Sequence, residues 1–295
     1  MTVTASTPIT LPEDAAERNL ADSQRVRIWS VRNFRDLGGY PSLLGGFVNR
    51  GLLYRSASLH TLSGRDHRLF SSLSIHSIID FRSDPERQRQ PDRLRADFGI
   101  RHVSIPILDS CTAKSGDLER QIRSGKVDDI DPAGLLTQAN RELATRFTPQ
   151  YRQFLHAVLD ARGRPVLFHC AAGKDRTGFA AAILLRLLGV PEQLVMFDYL
   201  MSNRHYLRAL RPVLKIVALV KGRKVASALT GFAEVRASFL EAAFQALTRQ
   251  FGSFEAYAHD GLDLSEQDLR TLRSVYLQPP FPASLAYAQA QLENA

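Results

Sequence analysis

Along the chain, apolar and polar positions alternate in short blocks that read as strand, helix and strand again. Gly51-Leu52-Leu53-Tyr54-Arg55 and His76-Ser77-Ile78-Ile79-Asp80-Phe81 have the length and content of strands, and Arg101 to Ile105 makes another. Pro165-Val166-Leu167-Phe168 is short and wholly apolar, the pattern of a strand covered on both faces at the centre of a sheet. Ser63 and Asp66 stand at capping-box spacing and predict a helix through about Leu73. Thr148-Pro149 supplies a cap and a first-turn proline for a helix running to about Ala161. A further helix is predicted from about Asp175 to Leu188, stopped by Gly189. Phe179, Ile183, Leu184, Leu185 and Leu187, with the intervening alanines, make it apolar on nearly every side, so it should lie inside the domain. Pro191 opens a helix through Ser202, and residues 211–250 read as one or two amphipathic helices. Ser265 and Asp268 repeat the capping spacing before a last helix near Tyr276. Strands separated by helices in this way predict an α/β sheet with crossover connections.

Two stretches break the pattern. Residues 1–25 are rich in Thr, Pro and Ala without a period and read as a flexible arm, with order beginning near Val26. Residues 109–147 are charged and only weakly amphipathic, and short exposed helices forming a flap are expected there. No linker divides the chain. The expectation is one domain over residues 26–278, with helical insertions near 110–147 and 205–250 and a tail over 279–295.

Composition narrows the class. Among 295 residues, 38 Lys and Arg against 30 Asp and Glu leave a charge of +8, which draws anionic partners. No zinc-finger, homeodomain or RNA-binding signature accompanies it, so no nucleic-acid partner is expected. Two cysteines, Cys111 and Cys170, exclude a disulfide scaffold and fit a reducing compartment. The apolar runs fall far short of the ~20 residues of a spanning helix. The N-terminus, with Glu13, Asp14 and Glu17, lacks a signal-peptide core, so a cytoplasmic location is expected.

The chemistry gathers at His169-Cys170-Ala171-Ala172-Gly173-Lys174-Asp175-Arg176-Thr177-Gly178, between the apolar strand and the buried helix. A loop from strand end to helix start turns successive backbone N–H groups inward and makes an anion cradle, reinforced by the helix dipole. Gly173 and Gly178 let the backbone curl tightly. The planar fork of Arg176 can hold two phosphate oxygens. The same positive surroundings favour the thiolate of Cys170, which then faces phosphorus in line. The hydroxyl of Thr177 completes the set. His169 and Cys170 are adjacent, but no second Cys/His pair stands at zinc spacing, so no metal and no other cofactor are expected. His169 reads as a loop organiser bonded to backbone.

His-Cys-x5-Arg-Thr resembles the phosphate loop of cysteine-based protein tyrosine phosphatases. Asn33-Phe34-Arg35-Asp36-Leu37-Gly38-Gly39, Tyr54-Arg55-Ser56-Ala57, Ile79-Asp80-Phe81-Arg82-Ser83 and Asp198-Tyr199-Leu200-x-Ser202-Asn203 narrow the resemblance to the atypical bacterial and fungal members, over about Val31 to Tyr276. The resemblance implies a central, mostly parallel sheet flanked by helices, with helical lid insertions. It implies Cys170 as nucleophile, Arg176 as phosphate and transition-state ligand, and Thr177 as donor to the departing sulfur. The amides of Ala171, Ala172, Gly173, Lys174, Asp175 and Arg176 would bind substrate. The general acid is Asp175 or Asp80, the resemblance favouring Asp175. Lys174 is expected to touch a second phosphate, since phosphoinositide phosphatases carry lysine there. Substrates would then be phosphorylated proteins and phosphoinositides. Relatives can be exported without an evident signal, which leaves location open on that side.

Asn33, Arg35 and Asp36 read chiefly as a packed turn and otherwise as support for the loop from behind. Asp198, Tyr199 and Asn203 read as buried polar anchors. Cys111 reads as a small hydrophobe, with pairing to an oxidised Cys170 as the alternative. Arg211 to Lys224 mixes apolar and basic residues: core packing, a lid, or peripheral contact with an anionic membrane. The remaining readings for the whole chain are a catalytically inactive phosphate-binding module, a rhodanese-like sulfurtransferase and a charge-driven nucleic-acid binder.

Overall fold

The computed structural model describes residue 24 and residues 26–95 and 98–278; the arm and tail expected at the two ends lie, Gln24 apart, outside the described residues. Five strands form the main sheet: β1 (Arg35–Asp36), β3 (Leu53–Ser56), β4 (Ser77–Asp80), β5 (Arg101–Ser104) and β6 (Val166–His169). Their order is β1-β3-β6-β4-β5, with β1 antiparallel to β3 and the rest parallel. A small second sheet pairs β2 (Phe47–Val48) with β7 (Leu277–Gln278). The apolar run at 166–168 is indeed central, and every residue of β6 is buried.

Strand alternation divides the apolar side chains between two cores. Leu53, Ile79, Val166 and Phe168 point into the larger one, Tyr54, Ile78 and Leu167 into the smaller, with Phe34, Leu59 and Phe70. The helices are α1 (His67–Ser72), α2 (Asp84–Arg89), α3 (Ser110–Ala113), α4 (Ser115–Ser124), α5 (Pro132–Ala144), α6 (Thr148–Asp160), α7 (Arg176–Leu187), α8 (Glu192–Ser202), α9 (Arg208–Val220), α10 (Arg223–Ala233), α11 (Ala237–Phe251), α12 (Phe254–Ala256) and α13 (Glu266–Tyr276). The expected buried helix is α7, whose apolar residues join Tyr151, Phe154 and Leu155 of α6 in the larger core. Among the described residues no helix is long and apolar enough to cross a membrane.

Three expectations need correction. The weakly amphipathic stretch 109–147 is not all exposed: α5 buries Leu136, Ala139, Asn140, Leu143 and Ala144 and packs on α11. These positions form one helical stripe, and its apolar content is masked by Asn140, whose Nδ2 donates to the Leu136 carbonyl at 2.9 Å. Residues 211–250 hold parts of three helices rather than one or two. Gly222, at φ 89°, breaks the first from the second, and the extended backbone of Glu234 and Arg236 breaks the second from the third. The helix predicted from Ser63 to about Leu73 forms but starts only at His67, and the carboxylate of Asp66 before it accepts from the Ser30 amide at 2.8 Å and hydroxyl at 2.6 Å. The Ser265/Asp268 box forms as expected.

Candidate active site

The parallel register places the C-terminal residues of three strands side by side. Ser56 and Asp80 both stand opposite His169, so Ala57, Phe81 and Cys170 leave the sheet at one level. This is the edge of a parallel sheet where ligand crevices form. Cys170 opens the loop to α7, its side chain almost wholly buried. The Gly173 amide donates to Cys170 Sγ at 3.2 Å, so at least one loop N–H already points at the sulfur.

The loop is held from behind through its carbonyls. Gly173 O accepts from Asn33 Nδ2 at 2.7 Å and from Arg55 Nη2 at 2.8 Å; Ala172 O takes a longer bond from Asn33 at 3.3 Å. A trans peptide sets each C=O opposite the next residue's N–H, so the bond to Ala172 O accompanies a Gly173 N–H turned to the sulfur, and the two bonds to Gly173 O fix the following peptide, which carries the Lys174 N–H. Asp198 steadies both arginines, accepting from Arg35 Nε at 2.9 Å and Arg55 Nη1 at 2.5 Å. Burial pushes the Asp198 carboxyl up, but the two guanidinium charges outweigh it and hold the group below its ordinary value. Arg55, fully buried, is lowered to about 10, first by burial and then by Arg35. Asn33 and Arg35 thus support the loop rather than merely packing a turn. Asp36 serves the turn, accepting from the amides of Gly38 at 2.8 Å and Gly51 at 2.7 Å. Gly173 sits at φ 68°, and a Cβ there would stand 2.2 Å from Ser56 O. At Gly178 a Cβ would meet the Tyr199 ring at 2.8 Å.

Arg176 is the first residue of α7, and Tyr151 Oη donates to its carbonyl at 3.0 Å. Its guanidinium is aimed by a residue the sequence reading missed. Glu86 takes Nη1 at 2.9 Å and Nη2 at 2.8 Å, a bidentate pair. Burial raises the Glu86 carboxyl, but Arg176 and the Ser83 amide and hydroxyl outweigh it and bring it to about 2. The signal was present: Ser83-x-x-Glu86 is a capping box opening α2, directly after β4. Asp109, also missed, lies 3.9 Å from Arg176 Nε and caps α3 by accepting from the Thr112 amide.

The two acid candidates occupy different settings. Asp80 is locked to Arg82, whose Nε and Nη2 reach its oxygens at 3.0 and 2.7 Å. Asp175 lies in the loop, its Oδ2 2.7 Å from Lys174 Nζ, and its Oδ1 has no hydrogen-bond partner among the described residues. Lys174 is buried, not a solvated rim lysine, and its ammonium also reaches Glu234 O at 3.4 Å. The bond from Thr177 to the sulfur is not made: Thr177 Oγ1 is buried without a partner among the described residues, while the Gly173 amide occupies the sulfur. Tyr206, in the π-helical turn Asn203–Leu207 after α8, is half-buried and feels the charges of Cys170 and Asp175. Cys111 is pushed up to about 12 by burial and by Asp175 and Asp109, which keeps it a protonated thiol at neutral pH.

Behind the nucleophile, His169 is fully buried beside two carboxylates, Nδ1 3.7 Å from Asp80 and Nε2 3.3 Å from Asp92. Burial lowers its basicity, but the two carboxylates outweigh it and raise it above the ordinary imidazole value. Nδ1 is also 3.4 Å from Cys170 O, the backbone contact expected of it. Asp80, Asp92 and His169 together could offer ligands to a metal ion. The cation among them is Arg82, whose Nη2 lies 2.7 Å from Asp80 and 2.8 Å from Asp92.

The model of a family described as "Tyrosine phosphatase family" matches residues 26–278. A Cupriavidus necator protein that carries the name of a tyrosine-protein phosphatase is 32% identical over 270 residues, covering 90% of this chain and 93% of its own. The triple specificity protein phosphatase PtpB of Mycobacterium tuberculosis is 30% identical over 270 residues, 83% of this chain and 96% of its own. The crystal structure of TpbA from P. aeruginosa in complex with pTyr overlaps 59% of this chain and 80% of its own at 18% identity and a TM-score of 0.30, an overlap too slight to bear on fold or substrate. With a family match across nearly all the described residues and two relatives aligned along almost their full length, this chain belongs to the tyrosine phosphatase family and is a phosphoric monoester hydrolase of that type.

Proposed function

We propose that the protein hydrolyses phosphotyrosine in proteins, together with phosphoserine or phosphothreonine and phosphoinositide monoesters, through a phosphocysteine on Cys170. The observation that carries the reading is the pairing of a buried sulfur capped by the Gly173 amide with a guanidinium held in place by Glu86. Cys170 attacks phosphorus as the thiolate, forming the S–P bond as the bond to the ester oxygen breaks. Asp175 gives its proton to the departing oxygen. Water then attacks phosphorus, Asp175 takes back a proton, the S–P bond breaks and inorganic phosphate leaves. Arg176 and the amides of Ala171, Ala172, Gly173, Lys174 and Asp175 hold the equatorial oxygens as charge builds on them. The unpartnered Oδ1 of Asp175 supports it as the acid, and the ion pair of Asp80 with Arg82 supports a structural place for Asp80. We assign Lys174 to a second substrate phosphate, and Thr177 to the sulfur in the second step after a rotation of its side chain. That PtpB is named a triple specificity phosphatase supports the breadth of substrate. Action in the cytoplasm fits the cysteine usage.

The test is a panel of phosphopeptides and short-chain phosphoinositides turned over by wild type, Cys170→Ser, Asp175→Asn, Asp80→Asn and Asp109→Asn. Cys170→Ser should abolish turnover, and only Asp175→Asn should flatten the basic limb of the pH profile. Flattening by Asp80→Asn or Asp109→Asn alone overturns the choice of acid. Turnover of peptides but of no inositide overturns the lipid substrate. Chelators should leave activity unchanged and vanadate should inhibit it.

A further inference from the structure

Helix α9 carries an apolar face that the protein does not cover. None of its residues is buried. Val213, Ile216, Leu219 and Val220 are 50%, 60%, 87% and 71% exposed, and at helical spacing they form one stripe. The other side of the helix, with Leu214, Val217 and Ala218, is less exposed, and Val217 packs against the cluster of Val127, Val225 and Ala228. The charge carried by the segment itself has one sign. From Tyr199 to Ala233 the chain has no Asp or Glu. Arg208, Arg211 and Lys215 lie along the edge of the stripe beside Leu219, and Lys221, Arg223 and Lys224 surround the turn at its end. All six are exposed. Of these, Lys224 pairs with Asp128 at 2.6 Å across from α10.

An apolar stripe edged by Arg208, Arg211 and Lys215, with the acid Asp128 paired to Lys224 at the turn beyond it, matches a surface that is apolar beneath and anionic above. A protein partner would need an acidic rim around an apolar groove, and a second copy would bring these cations against each other at a two-fold contact. We infer that the exposed face of α9, with the basic turn at Lys221–Lys224, is a docking surface for an anionic lipid bilayer. Ile216, Leu219 and Val220 enter the boundary between headgroups and acyl chains, and the arginines and lysines meet lipid phosphates. Helix α10, packed on α9, ends at its C-cap Glu234, whose carbonyl accepts from Lys174 of the loop after β6 at 3.4 Å. Docking here therefore sets the candidate active site close to the membrane plane. The purpose of this, delivery of phosphorylated headgroups, rests on the phosphoinositide reading; the binding itself does not.

The test uses the full chain and vesicles of phosphatidylcholine with or without phosphatidylglycerol, read by co-sedimentation. Neither lipid is a phosphate monoester, so binding is independent of turnover. Wild type should partition onto the anionic vesicles at least about tenfold better than onto neutral ones, and salt should weaken the binding. Ile216→Asp with Leu219→Asp, and separately Arg211→Glu with Lys215→Glu, should each reduce partition by about tenfold or more while phosphopeptide turnover stays near wild type. The second pair keeps the test decisive should the first fail to fold. Wild type that ignores anionic vesicles, or either folded pair binding as wild type does, overturns the proposal. Sedimentation showing that the aspartate pair converts a dimer to monomer, with no vesicle binding by wild type, assigns the face to a second copy and also overturns it. Faster alkylation of Cys170 in the aspartate pair with vesicle binding unchanged shows the stripe closing over its own site, again overturning it. Vesicle binding without turnover of soluble phosphoinositides sinks the lipid-substrate reading alone.

Discussion

Replacing Glu86 with Gln tests the electrostatic frame of the site without altering the loop. The carboxylate accepts two bonds from Arg176, at 2.9 and 2.8 Å, and one from the Ser83 amide at 2.8 Å. An amide of the same shape keeps one acceptor oxygen and turns a donor toward the guanidinium. Charge-assisted bonds of this kind contribute roughly 1.5–3 kcal/mol each in net terms. The ionisation gives a second measure. A glutamate at 4.5 when unfolded and about 2 when folded corresponds to about 3 kcal/mol of stability. A depressed carboxyl stabilises above its unfolded value and loses that contribution as pH falls toward its folded value. Glu86→Gln should therefore lower unfolding free energy by about 2–3 kcal/mol at pH 7, and the gap to wild type should narrow from about pH 4.5 downward. Arg176, freed from its partner, should cost roughly 100-fold in kcat/KM, the scale for misplacement by about an ångström. Urea unfolding across pH and phosphopeptide kinetics measure both. A stability gap that stays constant from pH 7 to pH 3, or a kcat/KM within about twofold of wild type, would refute the reasoning.

The same logic with the opposite sign applies to His169. Its folded value is raised, so the stabilisation from its charged form is full below the ordinary imidazole value and fades as pH rises through the folded one. Asp92→Asn should destabilise more at pH 5 than at pH 9, checked by urea unfolding, and NMR should show His169 titrating at lower pH; equal losses at both pH values count against it. Gly173→Ala, with its Cβ 2.2 Å from Ser56 O and φ at 68°, should displace the loop and cut activity by more than about 100-fold. A crystal structure of that variant with the Gly173 amide still on the sulfur would contradict this.

How much of this was legible beforehand follows from the range of each interaction. The strand at 166–168, helix α7 and the loop between them are encoded within 22 consecutive residues, Val166 to Leu187, and their elements formed where the pattern put them. Partners brought by the fold were harder. The ion pair of Asp80 with Arg82 joins neighbours in sequence and lies within local range. Glu86 lies 90 residues from Arg176, and only its capping box marked it as special. Asp92 and Asp109 carried no local signal. The stripe of α5 was hidden by one buried asparagine. The breaks around α10 were half hidden, since Gly222 marks the first and ordinary extended residues make the second.

The cluster under the loop shows what such distant partners are for. Arg35, Arg55 and Asp198 bury two positive charges against one negative, and Asp198 is 163 and 143 residues from its partners. A buried ion network of this kind is seldom the cheapest way to hold a core together, since apolar residues of equal volume often serve as well or better. Its geometry points to function instead, because Arg55 Nη2 and Asn33 Nδ2 together hold the Gly173 carbonyl back and so fix the loop peptide that directly follows the amide on the sulfur. The two demands separate by mutation. Asp198→Asn alone strands two buried cations and should cost about 3–5 kcal/mol. The combined Arg35→Met, Arg55→Met and Asp198→Leu variant removes every charge of the cluster and should recover most of that stability, yet lose phosphopeptide turnover by about 100-fold or more, because Gly173 O is left with one donor instead of two. Urea unfolding and kinetics on the same preparations decide it. A combined variant as active as wild type means that the loop keeps its shape without the arginines. One as unstable as Asp198→Asn means that the cluster is there to hold the fold.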